Sequence, residues 1–145
     1  MGRRKYWLGV AVRDHVMRGV TEGFAQLGHG KESAVRALSQ GDWLIYYASR
    51  TALDGGDPVR AFVAIGQVLT REPYPADQGQ GFHPWRHDMR YLDAREVPIR
   101  PLLEHLDMTR GRGRHWGMAV RGSRHALTAA DARTIASAMG VGEKI

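Results

Sequence analysis

The chain has 145 residues, 43% hydrophobic and 25% charged, with 21 Lys and Arg against 15 Asp and Glu and no cysteine. That size and balance fit one folded domain over residues 1–145 rather than a disordered segment. The net charge of +6 favours a polyanionic partner, and the missing cysteines exclude disulfides, thiolate metal sites and cysteine nucleophiles.

In chain order, residues 5–12 (KYWLGVAV) are an aromatic and β-branched run that reads as a first strand. Residues 13–23 break the pattern with Gly19 and Gly23, so a turn of helix followed by loop is expected there. Ala34, Val35 and Leu38 have helical spacing and Gly41 follows, which predicts a short helix over 32–39. Residues 42–49 (DWLIYYAS) and 59–70 (VRAFVAIGQVLT) are the clearest strands, the second apolar on both parities, as in a sheet that curls until both faces are covered.

The Pro, Gly and Gln stretch at 71–84 reads as a long surface loop, the kind that often carries function. Residues 85–97 predict another strand. Ile99, Leu102, Leu103 and Leu106 predict an amphipathic helix, and the Arg and Gly segment 109–122 a run into a short strand. Thr128 to Asp131 resembles a capping box opening a last helix that stops at Gly140. The irregular order of elements argues against a doubly wound sheet and for an α+β domain on a small mixed barrel. No apolar run reaches ~18 residues and no cleavage-type segment follows the basic start, so a cytoplasmic protein is expected.

Residues 23–33 (GFAQLGHGKES) superficially resemble a phosphate loop. Read back from Gly30-Lys31, the first glycine position holds Ala25 and the Ser/Thr position Glu32, so nucleotide hydrolysis is not expected. The deaminase signature H-x-E with P-C-x-x-C is absent. The seven histidines show no metal spacing, since His83 and His87 flank Pro84. No serine stands in a G-x-S-x-G setting, so neither a catalytic motif nor a cofactor is expected.

Aromatic and polar groups remain. Trp43 alternates with Ile45 and Tyr47 and reads as core. Trp85 and Trp116 stand where Gly-rich loops become strands among arginines, places suited to presenting a ring to a ligand. Phe24 to wall a pocket, Gln26 and Ser49 for a base edge, and His29 and Lys31 for a phosphate complete the parts of a base site. Arg86, Arg112 and Arg114 are further phosphate candidates. For each of these residues core packing or an ordinary surface loop is the competing reading.

The segments KYWLGVAVRDHVMRGVTEGFAQLGHGK, GDWLIYYAS, AFVAIGQV, PWRHDMRYL, PIRPLLEHL and HWGMAVRG together resemble the bacterial UPF0310 proteins, which consist of an EVE domain of the PUA-like superfamily. The resemblance spans about residues 5–139 and implies a PUA-like pseudobarrel of about five or six strands with peripheral helices, related to YTH and ASCH domains. It further implies a non-catalytic module that holds a modified base, a methylated or hydroxymethylated cytosine in DNA, in an aromatic pocket. Trp7, the segment with Phe24, Gln26 and His29, then Tyr46 and Tyr47, and the loop with Phe82 and Trp85 would build that pocket. The alternatives are a PUA-type RNA-binding module and a nucleoside-binding or hydrolytic protein of ASCH type acting beside His29 and Lys31.

Overall fold

The computed structural model describes residues 4–145. The first strand, β1 (Tyr6–Val10), lies between β3 (Trp43–Arg50) and β8 (Arg124–Leu127), parallel to β3 and antiparallel to β8. Beyond β3 come β4 (Pro58–Val68), β6 (Trp85–Tyr91) and the two-residue β2 (Phe24–Ala25), giving the order β2-β6-β4-β3-β1-β8. Two more two-residue strands, β5 (Tyr74–Pro75) and β7 (Val97–Pro98), pair with β6 and β4. The result is a mixed sheet curled into a half-barrel with a few helices, the α+β class expected.

Alternation along the long strands fills two cores, because successive side chains point to opposite faces. Leu44, Tyr46 and Ala48 of β3 join Trp7 and Leu27 on one face, under helices α1 (Arg13–Glu22) and α2 (Glu32–Arg36). Trp43, Ile45 and Tyr47 join Leu8, Phe62 and Ile65 on the other, under α3 (Ala129–Ala138) and residues 99–120. Trp43 is core, at 2% exposure. Trp116 packs on this second core, inside a 3-10 helix.

Three expectations are corrected. Residues 13–22 form a full helix, and Gly19 is no breaker: a Cβ there would come within 2.5 Å of the Phe24 carbonyl, so the glycine lets the chain turn back closely against α1. The stripe Ile99–Leu106 does pack inward, but as 3-10 turns instead of an α-helix. Just past the stripe the carboxylate of Asp131, buried at 2% exposure, accepts from the N–H groups of Asp107 (2.7 Å) and Met108 (3.0 Å). Those donors are therefore unavailable to continue a helix beyond Leu106. Third, residues 113–120 are 3-10 helix, and the strand begins only at Arg124. Thr128 caps α3 by accepting from Asp131 N at 3.1 Å.

His87 links β6 to α2. Its Nε2 faces the Val35 carbonyl (3.1 Å), which can only accept, so Nε2 donates and Nδ1 accepts from the Thr70 hydroxyl (2.7 Å). Burial lowers its pKa from the ordinary histidine value against the opposing pull of the Val35 and Leu38 carbonyls and of Asp88 and Glu72. The unfolded chain then binds a proton that the fold refuses, so this contribution is complete above the unfolded value and is lost as pH falls below about 6.5. Urea titrations at pH 7.5 and 5.5 should show stability falling with a slope of up to about 1.4 kcal/mol per pH unit from this group. His87→Gln, which keeps a donor for Val35, should flatten that fall; an unchanged slope would remove His87 as its source.

Candidate functional site

β1 and β3 run parallel and end side by side, after which one chain enters α1 and the other the 51–57 loop. Parallel ends whose chains diverge leave a crevice, a common place for ligands. Here it is a cleft of about 850 Å³. Val10, Ala11, Val12 and His15 supply one wall, and Gln26, Gly28, His29, Lys31, Ser33 and Ala34 a second. Ser49, Arg50 and Leu53 come from the end of β3 and its loop, and Gly122, Ser123 and Arg124 from the approach to β8. Ser123 is fixed there by its carbonyl, which accepts from Val10 N at 3.0 Å.

The second wall owes its shape to a left-handed turn. Gly28, His29 and Gly30 have φ of 57°, 58° and 82°, conformations that cost a side chain free energy and that two glycines here accept freely. The turn closes by Gly30 N donating to Leu27 O (3.0 Å) and Lys31 N to Gly28 O (3.3 Å). It delivers His29 and Lys31, both exposed, to the cleft.

Gln26 is the buried polar residue of the cleft lining. Its carbonyl accepts from the Tyr46 hydroxyl (3.3 Å) and faces His15 Nε2 (3.2 Å), while Tyr91 OH donates to the Phe24 carbonyl (2.9 Å) two residues earlier. Burial pushes both phenols well above the ordinary tyrosine pKa, so they stay neutral donors. Gly9 makes room for this: a Cβ there would lie 2.8 Å from the Tyr46 ring. The Gln26 side-chain oxygen accepts from the Arg86 guanidinium, which lies 3.7 Å from the Phe24 ring centroid. The amide nitrogen has no partner among the described residues, and Gln26 is among the residues that line the cleft.

The lining contains Lys31, Arg50 and Arg124 with His15 and His29, and no Asp or Glu. Its potential is positive, suited to an anionic or electron-rich ligand. Arg124 rests 5.1 Å from the Trp7 ring centroid. That ring is held by its indole N–H, which donates to Asp42 Oδ2 at 2.9 Å.

Of the residues expected from sequence, the structure brings Gln26, His29, Lys31 and Ser49 together in the cleft. Trp7 stands behind Arg124, and Phe24, 3% exposed, stands behind Arg86. Arg86 itself is occupied with Gln26, and burial lowers its pKa from the ordinary arginine value. Tyr46 reaches the site only through the Gln26 carbonyl, and Tyr47 lies on the opposite face of β3, edge-on to Phe62 at 5.8 Å. Phe82 is 48% exposed beside the tip of the hairpin joining β5 and β6, and Trp85 is half-buried with Arg36 at 5.9 Å from its ring centroid. Arg112 and Arg114 are exposed at the 3-10 helix, outside the lining. His15, Arg50, Ser123 and Arg124 complete the cleft without having been expected. Only adjacency to Ser49 marked Arg50, and nothing local marked Arg124, which arrives through the pairing of Gly9 with Arg124.

No helix among the described residues is long and apolar enough to cross a membrane. In fold the chain is similar to the NMR structure of Rpa0253 from Rhodopseudomonas palustris, at a TM-score of 0.56 and 19% identity over 94% of this chain and 93% of that one. It is likewise similar to the crystal structure of Atu2648 from Agrobacterium tumefaciens, at 0.58 and 14%, covering 95% and 94%. In sequence it is 42% identical over 133 residues to a UPF0310 protein of Mycolicibacterium vanbaalenii, covering 92% of this chain and 91% of the relative. It is 38% identical over 139 residues to the UPF0310 protein YdcG of Bacillus subtilis, covering 94% and 92%. The EVE domain model matches residues 5–138. With that match across nearly all of a PUA-like half-barrel, the chain belongs to the EVE-domain family of UPF0310 proteins.

Proposed function

We propose that this protein binds nucleic acid without catalysis and accepts a modified cytosine of DNA, swung out of the duplex, in the cleft between the ends of β1 and β3. The observation that carries the reading is Gln26: a buried amide lining a carboxylate-free cleft of about 850 Å³, whose oxygen is occupied by Arg86 and whose nitrogen has no partner among the described residues. Such a donor suits the acceptor edge of a pyrimidine, and fixed polar groups are what let a pocket choose one base. Val10, Val12, Ala34 and Leu53 offer apolar surface for a methyl or hydroxymethyl substituent, while Lys31, Arg50 and Arg124 suit the phosphates beside it. Stacking from Phe24 or Trp85 plays no part, because neither ring lines the cleft and Arg86 lies over Phe24 at 3.7 Å.

Anisotropy titrations at fixed salt test it, using one duplex sequence with plain, 5-methyl or 5-hydroxymethyl cytosine and the matching RNA. A modified duplex should bind about tenfold or more tightly than the plain one, and Gln26→Ala should weaken it about 10- to 100-fold, towards the plain level. Equal affinity for modified and plain DNA sinks the modified-base reading. Tighter binding of the RNA moves the site to the PUA-type alternative.

A further inference from the structure

A second groove, of about 520 Å³, opens at the opposite end of β1 from the cleft. Arg4, Lys5 and Arg133 supply its charge, and Tyr6, Trp7 and Ala126 part of its floor. Its lining contains no Asp or Glu, and none of the three cations makes a salt bridge among the described residues. Asp42 lies beside it but is 2% exposed and already accepts from Lys5 N, Trp7 Nε1 and Ser39 N at 2.9–3.0 Å. Three exposed cations thus face solvent with no carboxylate among the groove residues.

The groove and the cleft adjoin through one side-chain contact. Trp7 lines the groove, Arg124 lines the cleft, and the Arg124 guanidinium lies 5.1 Å from the Trp7 ring centroid. The register explains the contact: Gly9 pairs with Arg124 and Trp7 with Ala126, so Arg124 and Trp7 are diagonal neighbours on one face. Arg124 Nε is buried without a partner, so its stacking on Trp7 and not a hydrogen bond sets its position. From Val10 to Trp7 the strand rises roughly 10 Å, the reach of nucleotides adjoining one another on a single strand.

We propose that the Arg4–Lys5–Arg133 groove is a second phosphate site, which holds the backbone of the same DNA strand at nucleotides adjoining the base in the cleft, with Arg124 on Trp7 as the bridge between them. This rests on the nucleic-acid reading above and adds a direction to it: the strand follows β1 from the cleft to the groove. The groove neutralises phosphates and reads no base, so it contributes affinity and salt dependence but no discrimination.

The test is a double variant, Arg4→Gln with Arg133→Gln, titrated from about 50 to 200 mM salt against plain and modified duplexes. Both side chains are exposed, so melting temperature should be unchanged and serves as the folding control. The slope of log K against log salt should become shallower by about 1.8, or 0.9 per lost phosphate contact, with affinity about tenfold lower and the modified-to-plain ratio preserved. An unchanged slope and affinity overturn the groove, and do so whether or not the ratio exists. A shallower slope with no modified-to-plain ratio in either protein supports the groove while sinking the modified-base reading.

Discussion

Replacing Asp42 by alanine is expected to lower stability by about 3–5 kcal/mol, because one buried carboxylate satisfies three donors from three parts of the fold. Oδ1 accepts from Lys5 N at the entry to β1 (3.0 Å), and Oδ2 accepts both from the Trp7 indole (2.9 Å) and from Ser39 N after α2 (2.9 Å). Removing it leaves N–H groups in or near a dry interior, and each such orphan costs about 1–3 kcal/mol. At this chain length the loss corresponds to a drop in melting temperature of roughly 10–15 °C, measurable by calorimetry or circular dichroism. A drop of only a degree or two would mean that water replaces the carboxylate and that Asp42 ties nothing together. The same variant frees the Trp7 ring beneath Arg124, so nucleic-acid binding should weaken along with the fold.

The second large effect is expected at Gly30. Its φ of 82° is the left-handed region, and a Cβ built there would lie 2.3 Å from Pro84 Cβ and 2.8 Å from Pro84 Cα. Gly30→Ala therefore adds conformational strain of about 1–2 kcal/mol to an overpacking cost of similar size, about 2–4 kcal/mol together. Pro84 opens into β6, which also carries Arg86, so the clash displaces the turn that holds His29 and Lys31 relative to the arginine that orients Gln26. Denaturation should show the stability loss, and anisotropy with a nucleic-acid duplex should show binding at least tenfold weaker even where the protein remains folded. Full affinity in a destabilised but folded variant would detach the turn from the site. Gly41 gives the contrast: its φ is 90° but nothing lies within 4 Å, so Gly41→Ala carries the strain without the collision.

These two positions describe how the cleft is made rigid. Asp42 fixes Trp7 and through it Arg124 on one side, and Tyr46, Arg86 and Pro84 fix Gln26 and the left-handed turn on the other. Aromatic rings support the site from behind, and the groups presented at the cleft are amide, imidazole, hydroxyl and cation. On the proposed reading, recognition there would depend on directed hydrogen bonds held in place before a ligand arrives, which limits the entropy lost on binding.

Some of this was legible in the sequence. Periodicity placed the strands at 6–10, 43–50 and 58–68 to within a few residues, and apolar residues on both parities of 59–70 foretold a sheet cored on both faces. The pattern is visible because burial acts on each side chain separately and strand geometry repeats every two residues. The Gly-His-Gly turn and Gln26 were likewise visible as a cluster, since four cleft residues, Gln26, Gly28, His29 and Lys31, stand within six positions of chain.

Competition between distant partners was not legible. The stripe from Ile99 to Leu106 has helical spacing, yet it closes as 3-10 turns, and the N–H groups that follow it go to Asp131, more than twenty residues away, so no α-helix continues it. Phe24 and Trp85 have the chemistry of stacking rings, yet neither lines the cleft, and Arg86 from a separate element lies over Phe24. Arg124 has no local mark at all and becomes a cleft residue through β8 pairing antiparallel to β1. By itself, then, the sequence determined what each residue can do and which faces are buried, because those properties are local and periodic. The tertiary structure alone decided which donors meet which acceptors and which rings remain uncovered, because a partner is chosen by position in space among all the groups the fold brings near.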